Sequence, residues 1–245
     1  MPVVVDAIPL FFDHSNETIA SRLKYKVMSQ HVAVIAGASG LVGQECLRLL
    51  LNRYDSVTSL VRKPSGRLHP RLNERRIDFD RLDTIEIAQG AHVYSALGST
   101  IKKAGSEAAF RRVDFDYPKM LATRAAASAG KFMLVSSVGA DKASGNFYLR
   151  VKGELEEAIA TMPLETSLFF RPSILIGDRD EKRPGEAAGV VIARALSFAL
   201  IGPLRKYRAI PAGTVAEAMV AAANSEARGV RVYHYDEMLR LADRA

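Results

Sequence analysis

Apolar residues fall in short unbroken runs, separated by turns and by stretches with helical spacing. Val32–Ala36 is apolar at every position and is followed at once by glycines. Unbroken rather than alternating apolarity suits a strand buried on both faces of a parallel sheet. In Leu41–Asn52, Val42, Cys46, Leu49 and Leu50 return at helical spacing, which predicts a helix. Further strands are expected at Val57–Val61, Ile77–Phe79, His92–Leu97, Phe132–Val135, Ser167–Arg171 and Val230–Tyr235. Helices are expected over Leu82–Gln89, from Tyr117-Pro118 to a C′ residue at Gly130, and over Tyr148–Ala160. Strands alternating with helices define an α/β fold: a doubly wound, mostly parallel sheet with helices on both faces. No repeat or Pro/Gly/Ser linker divides the chain. Residues 28–245 are therefore read as one domain behind an N-terminal extension, residues 1–27. A segment of about 178–206, opening with the charged stretch Asp178–Glu186, is expected to form a small C-terminal cap.

Composition excludes several classes. The 245 residues are 48% hydrophobic and 25% charged, which is ordinary globular usage. A net charge of +7 favours an anionic partner: a nucleotide, a nucleic acid or a membrane surface. The single cysteine, Cys46, excludes an intramolecular disulfide framework, and the five histidines show no metal-ligand spacing, so no metal is expected. No apolar run reaches 18 residues; the nearest, Gly189–Leu204, is broken by Arg194, Ser197 and Pro203 and reads as a packed helix, in the cap or in a homodimer interface. The N-terminus lacks a secretory pattern, and a cytoplasmic location is expected. Lys102-Lys103 and Arg111-Arg112 come with no nucleic-acid motif, so no nucleic-acid partner is expected.

The chemistry begins directly after the first strand. Gly37-Ala38-Ser39-Gly40-Leu41-Val42-Gly43 has the spacing G-x-x-G-x-x-G between a predicted strand and a predicted helix. That is the setting of a dinucleotide loop. Gly37 permits the tight turn, Gly40 lets the backbone approach a pyrophosphate, and Gly43 lets the helix pack closely. The helix N-terminus, with Ser39 and Leu41 beside it, offers N–H groups to phosphate. At the end of the second strand, where an NAD site usually carries a carboxylate for the ribose, stand Arg62-Lys63. A guanidinium binds a 2′-phosphate bidentately, so NADP(H) is the preferred cofactor, with NAD(H) possible. Asp78 is placed to accept from the adenine amino group. Residues 62–81 hold seven basic and three acidic side chains, so over half the net charge flanks this end of the site.

The second constellation is Ser136-Ser137 at the end of the fifth strand, followed by Tyr148 and Lys152. On a helix, i and i+4 share a face. A lysine ammonium there favours the phenolate of Tyr148, which then exchanges a proton with a carbonyl or alcohol oxygen. Ser136 or Ser137 hydrogen-bonds that oxygen.

With Gly37/Gly40/Gly43, Ser137, Tyr148 and Lys152 in place, the chain resembles the short-chain dehydrogenase/reductase superfamily. Ala96–Thr100, Lys103–Ser106, Val113-Asp114, Val135–Asp141, Lys152-Gly153-Glu154 and Arg171-Pro172-Ser173 resemble the atypical family that includes the Tat-interacting oxidoreductase. The resemblance implies a Rossmann domain with Leu97, Gly98 and Ser99 beside the cofactor and Pro172 and Ile174 near the nicotinamide. The stretch from Ser137 to Tyr148 is shorter than in most extended members. The functional expectation is an NADP(H)-dependent oxidoreductase acting on a small carbonyl or alcohol. The alternatives are a cofactor-binding redox sensor with little turnover and an NAD-dependent epimerase.

Overall fold

The computed structural model describes residues 31–128, 130–177 and 200–244. The expected extension, residues 1–27, lies outside them, as does most of the expected cap. Seven strands form one sheet: β1 (Val32–Ala36), β2 (Ser56–Val61), β3 (Leu72–Arg76), β4 (His92–Ser95), β5 (Lys131–Val135), β6 (Thr166–Phe170) and, last in the chain, Gly229–Tyr233. Two short strands, β7 (Leu175–Ile176) and β8 (Ile210–Pro211), pair in parallel beside it, so the last strand is β9. The large sheet runs β3-β2-β1-β4-β5-β6-β9, and every pair is parallel. Chain order reverses between β1 and β4, the switch point at whose carboxyl edge α/β proteins bind ligands.

Each face of the sheet is closed by helices. On one, α1 (Leu41–Arg53) packs Cys46, Leu47 and Leu50 against Ile35 and Tyr94, beside the alanine-rich Ala212–Ala223 helix. On the other, Tyr117–Ala127 and Phe147–Ala160 pack Leu121, Ala125, Leu155 and Ile159 against Val34, Val93, Phe132 and Phe169. In chain order the remaining helices are α2 (Ile101–Ala104), α3 (Glu107–Arg111), α4 (Tyr117–Ala127), α5 (Phe147–Ala160), α6 (Ala212–Ala223) and α7 (Tyr235–Ala242). No described helix is long and apolar enough to cross a membrane.

Three elements differ from the expectation. The third strand is Leu72–Arg76, five residues earlier than the apolar Ile77–Phe79. As the sheet's edge it is largely solvated and carries Asn73, Glu74, Arg75 and Arg76, so it has no apolar run to betray it. The helix expected over Leu82–Gln89 is a 3₁₀ turn, Phe79–Thr84, which turns Phe79 and Leu82 into the core. The helix expected to begin at Tyr117 continues one that starts at Glu107, through a π-helical turn at Arg112–Asp116. Helices α6 and α7 were not legible: eight of the twelve α6 positions are buried, most of them alanine, which leaves no polar stripe to set a period.

The base of the sheet holds a buried polar cluster. The Tyr54 hydroxyl lies 2.7 Å from His92 Nδ1 and 2.7 Å from the Tyr94 hydroxyl, and the His31 ring stacks on Tyr54 at 4.2 Å. Burial, with the positive neighbours His31 and Lys131, lowers the His92 pKa from 6.5 to about 4. Below pH 6.5 the unfolded chain binds a proton that the folded chain refuses until about pH 4. Stability is therefore lost as pH falls through that window. Urea titrations of wild type and His92→Gln between pH 7 and pH 4 are expected to diverge by about 2–3 kcal/mol, the variant losing less.

Candidate active site

The glycine loop is built as its spacing demands. Gly37 has φ +88°, and a Cβ there would lie 2.5 Å from the Ala96 carbonyl. A Cβ on Gly43 would lie 2.0 Å from the Gly37 oxygen, so the first turn of α1 sits directly on the loop. Gly40 is the N-cap of α1, and no side chain caps the helix and no acid occupies its first turn. A Cβ at Gly40 would meet nothing closer than 3.5 Å. The uncapped end faces a cleft of about 560 Å³, with Ser39, Gly40 and Leu41 in its wall and Gly37 and Gly43 shaping the loop behind.

Leu97, Gly98 and Ser99, on the loop after β4, form the next stretch of wall. Opposite stand Ser136 and Ser137 at the end of β5, and Tyr148 and Lys152 on α5. Asn146 caps α5 by accepting from the Leu149 N–H at 3.2 Å. Val151, Leu155 and Ile159 bury one side of α5, which fixes the rotation that brings Tyr148 and Lys152 to the cleft. A Cβ on Gly153 would lie 2.3 Å from the backbone at Asp141–Lys142, so the helix lies directly on the turn leaving β5. That contact, with Gly139 at φ +79°, lets a short connection return Tyr148 to the serines.

The structure separates the two serines. Ser136 is buried and its hydroxyl donates to Glu156, whose carboxylate also receives Arg171 Nε at 3.0 and 3.1 Å. Ser137 is half-buried, and its hydroxyl makes one long bond, 3.3 Å, to the Val138 carbonyl.

Asp114 was not singled out from the sequence as a site residue. The π-helical turn places its buried carboxylate at the cleft floor. Oδ1 lies 2.8 Å from Lys152 Nζ, with both side chains no more than 4% exposed, and Oδ2 accepts from the Ser99 N–H at 2.8 Å. Burial alone would lower the pKa of the Lys152 ammonium, but Asp114 foremost, with Tyr148 and Glu156, outweighs burial and raises it. The ammonium also lies 5.9 Å from the centre of the Tyr148 ring. A π turn is a common device at functional sites, but no residue pattern announces it.

Of the other expected residues, one lies in the cleft wall and the rest lie outside it. Pro172 lines it; Ile174 is half exposed, and Leu175 takes the wall position beside it. Arg62 and Lys63 are exposed just beyond β2. Asp78 caps the 3₁₀ turn, accepting from the Asp80 N–H at 3.0 Å. Arg111 and Arg112 are bound to Glu154 and Asp80 rather than forming a free basic patch. Among the described residues no group of His, Cys, Asp and Glu is arranged for a metal.

A switch-point cleft, an uncapped helix behind a glycine turn, and a Ser/Tyr/Lys set at its far side define a dinucleotide-binding Rossmann protein. The chain belongs to the NAD(P)H-binding family, whose pattern matches residues 37–226. It is 36% identical over 207 residues to Protein HTATIP2 of Rattus norvegicus, covering 81% of this chain and 83% of that one. It is 28% identical over 229 residues to Protein FMP52, mitochondrial, of Candida glabrata, covering 88% of this chain and 97% of that one. Among solved structures, the human epimerase family protein SDR39U1 with NADPH matches at TM-score 0.58 and 16% identity, over 83% of this chain and 74% of that one. The Bordetella bronchiseptica enzyme WbmH with NAD+ matches at TM-score 0.60 and 16% identity, over 87% and 79%. These likenesses show a shared fold.

The fungal relatives correct one expectation. They are named as mitochondrial proteins, which points to mitochondria rather than the cytoplasm. The expectation failed because the lack of a secretory pattern speaks to secretion and not to which other compartment holds the protein.

Proposed function

We propose that the protein is an NADP(H)-dependent oxidoreductase that reduces a small carbonyl, or oxidises the corresponding alcohol. The observation that carries this reading is the convergence of Tyr148, Ser137 and Lys152 on the same cleft as the glycine loop. The uncapped N-terminus of α1 suits the pyrophosphate, with the Ser39–Leu41 backbone holding it. When bound, the nicotinamide supplies or takes up the hydride. Ser137, whose hydroxyl is only weakly engaged, orients the substrate oxygen, while Ser136 holds Glu156. Tyr148 gives that oxygen its proton, or takes it away. Lys152 is fixed beside the Tyr148 ring by Asp114.

Arg62 and Lys63, exposed at the adenosine end, select the 2′-phosphate. Arg62→Asp is expected to weaken NADPH binding at least about tenfold and to improve NADH relative to it. The reading as a whole is tested by following NADPH oxidation across a panel of aldehydes and ketones. Turnover with at least one of them supports it; tight NADPH binding with none turned over favours a cofactor-binding module. One observation speaks for that second reading. The Lys152 ammonium is committed to Asp114, and among the described residues no hydrogen bond joins it to the Tyr148 hydroxyl. The names of the fungal relatives support placing either activity in mitochondria.

A further inference from the structure

The sheet's edge strand carries a cation whose position the sequence alone did not show. The strand that the apolar pattern put at Ile77–Phe79 is Leu72–Arg76, so Arg76 becomes its last residue. In the β2–β3 ladder Arg76 is paired with Val61, the residue before Arg62, and the Ile77 N–H closes the ladder on the Val61 carbonyl at 2.9 Å. Arg62, Lys63 and Arg76 therefore stand together at the carboxyl edge of two adjacent strands, and all three are exposed.

The acids nearby are engaged elsewhere. Glu74 receives the Ser65 N–H at 2.8 Å and the Ser65 hydroxyl at 2.7 Å. Asp78 caps the Asp80 N–H, and Asp80 binds Arg112 at 2.8 Å and the Tyr117 hydroxyl at 2.7 Å. No described residue forms an ion pair with Arg62, Lys63 or Arg76. The Glu74–Ser65 bonds also tie the loop that carries Arg62 and Lys63 back onto β3. Three like charges gathered on one sheet corner repel one another, and a dianion relieves that repulsion. With the nearby carboxylates hydrogen-bonded to other groups, a corner with two guanidinium forks suits a phosphate monoester in particular.

We propose that Arg76 is a specificity-determining residue that completes, with Arg62 and Lys63, a binding site for the phosphate monoester on the adenosine of NADP(H). Glu74 acts as a positioning residue, holding the loop against the strand. The proposal rests on the cofactor preference argued above, and it adds a ligand from a different strand.

The neighbouring arginine supplies the control. Arg75 is also exposed and carries the same charge, but it pairs with Leu60, one residue further from the carboxyl edge, and its side chain leaves the strand on the face opposite to that of Arg76. A mere field effect of net charge would make Arg75→Met and Arg76→Met alike. The experiment measures binding of NADPH, NADH, 2′,5′-ADP and 5′-AMP to the full-length wild type, Arg75→Met and Arg76→Met, by calorimetry at one fixed salt concentration. Arg76→Met is expected to weaken NADPH and 2′,5′-ADP by about tenfold while NADH and 5′-AMP stay within about twofold. Arg75→Met is expected to leave all four within about twofold. Equal losses in the two variants, or losses that extend to 5′-AMP, would overturn the role of Arg76. If the wild type itself binds 2′,5′-ADP no better than 5′-AMP, the cofactor preference falls and the role of Arg76 falls with it. Wild-type discrimination with an unaffected Arg76→Met leaves the preference standing and removes only Arg76.

Discussion

Tyr148→Phe is expected to abolish turnover while leaving the cofactor in place. The substitution removes one oxygen from a ring that packs on Phe110 at 5.6 Å, so α5 and the cleft keep their shape. It also removes the group proposed above to exchange a proton with the substrate oxygen. A positioned general acid contributes about 10²–10⁴-fold, and kcat should fall by that much on any carbonyl the wild type reduces. NADPH affinity should stay within about twofold, because the proposed phosphate contacts, on the glycine loop and at the ends of β2 and β3, lie on other elements. Stopped-flow turnover and calorimetric titration on one preparation check both halves. A variant retaining more than about a tenth of wild-type kcat would remove Tyr148 from the proton path.

The largest stability effect is expected at Asp114. Asp114→Ala leaves the Lys152 ammonium buried with its main partner gone, and it frees the Ser99 N–H at the same time. Breaking a buried pair from one side costs about 3–5 kcal/mol, because the desolvation of the remaining charge is no longer offset. The double variant Asp114→Ala/Lys152→Met, with no charge left to bury, should recover much of that loss. The sign with pH differs between the proteins. In wild type the Lys152 pKa is raised, so the pair's contribution is complete below the lysine's ordinary 10.5 and fades only above it. In Asp114→Ala only Tyr148 and Glu156 remain to oppose burial, and the lysine's pKa is expected to fall below its ordinary value. The single variant should therefore gain stability relative to wild type as pH climbs from neutral towards 10.5. Urea unfolding of the three proteins at pH 7 and pH 9.5 reads both effects. A single variant within about 1 kcal/mol of wild type would show that the pair carries little.

The central part of this molecule was legible because its residues act locally. The run Val32–Ala36 and the glycines after it predicted a buried strand, a tight turn and a close helix, and Gly37 and Gly43 show both contacts in backbone clashes that any Cβ would create. Tyr148 and Lys152 came from a spacing that a helix converts directly into a shared face. What escaped notice depends on distant parts of the chain. Leu72–Arg76 is a strand because β2 pairs with it, not because its own side chains ask to be buried. Asp114 reaches Lys152, 38 residues on, only because the helix carrying it takes an extra residue into one turn. The choice between Ser136 and Ser137 needed Glu156 and Arg171, which lie on α5 and just beyond β6.

The cleft divides by origin. One wall is a chain of bonds from Ser99 through Asp114 to Lys152, which joins the β4 loop to α5, with the Tyr148 ring beside the ammonium. The facing wall, Pro172, Ser173 and Leu175, belongs to the exit from β6 and to the small β7–β8 ladder, and Ser173 is anchored to the Tyr207 carbonyl at 2.8 Å. Among the described residues no hydrogen bond joins these two sets of side chains directly, so they are free to diverge at different rates over descent as long as Arg171 and Glu156, which tie the β6 exit to α5, are kept. Exchange of the second wall offers a lineage new molecules to accept at little risk to folding. Any change along the first alters reactivity and stability together, and that is where relatives with different appetites should agree.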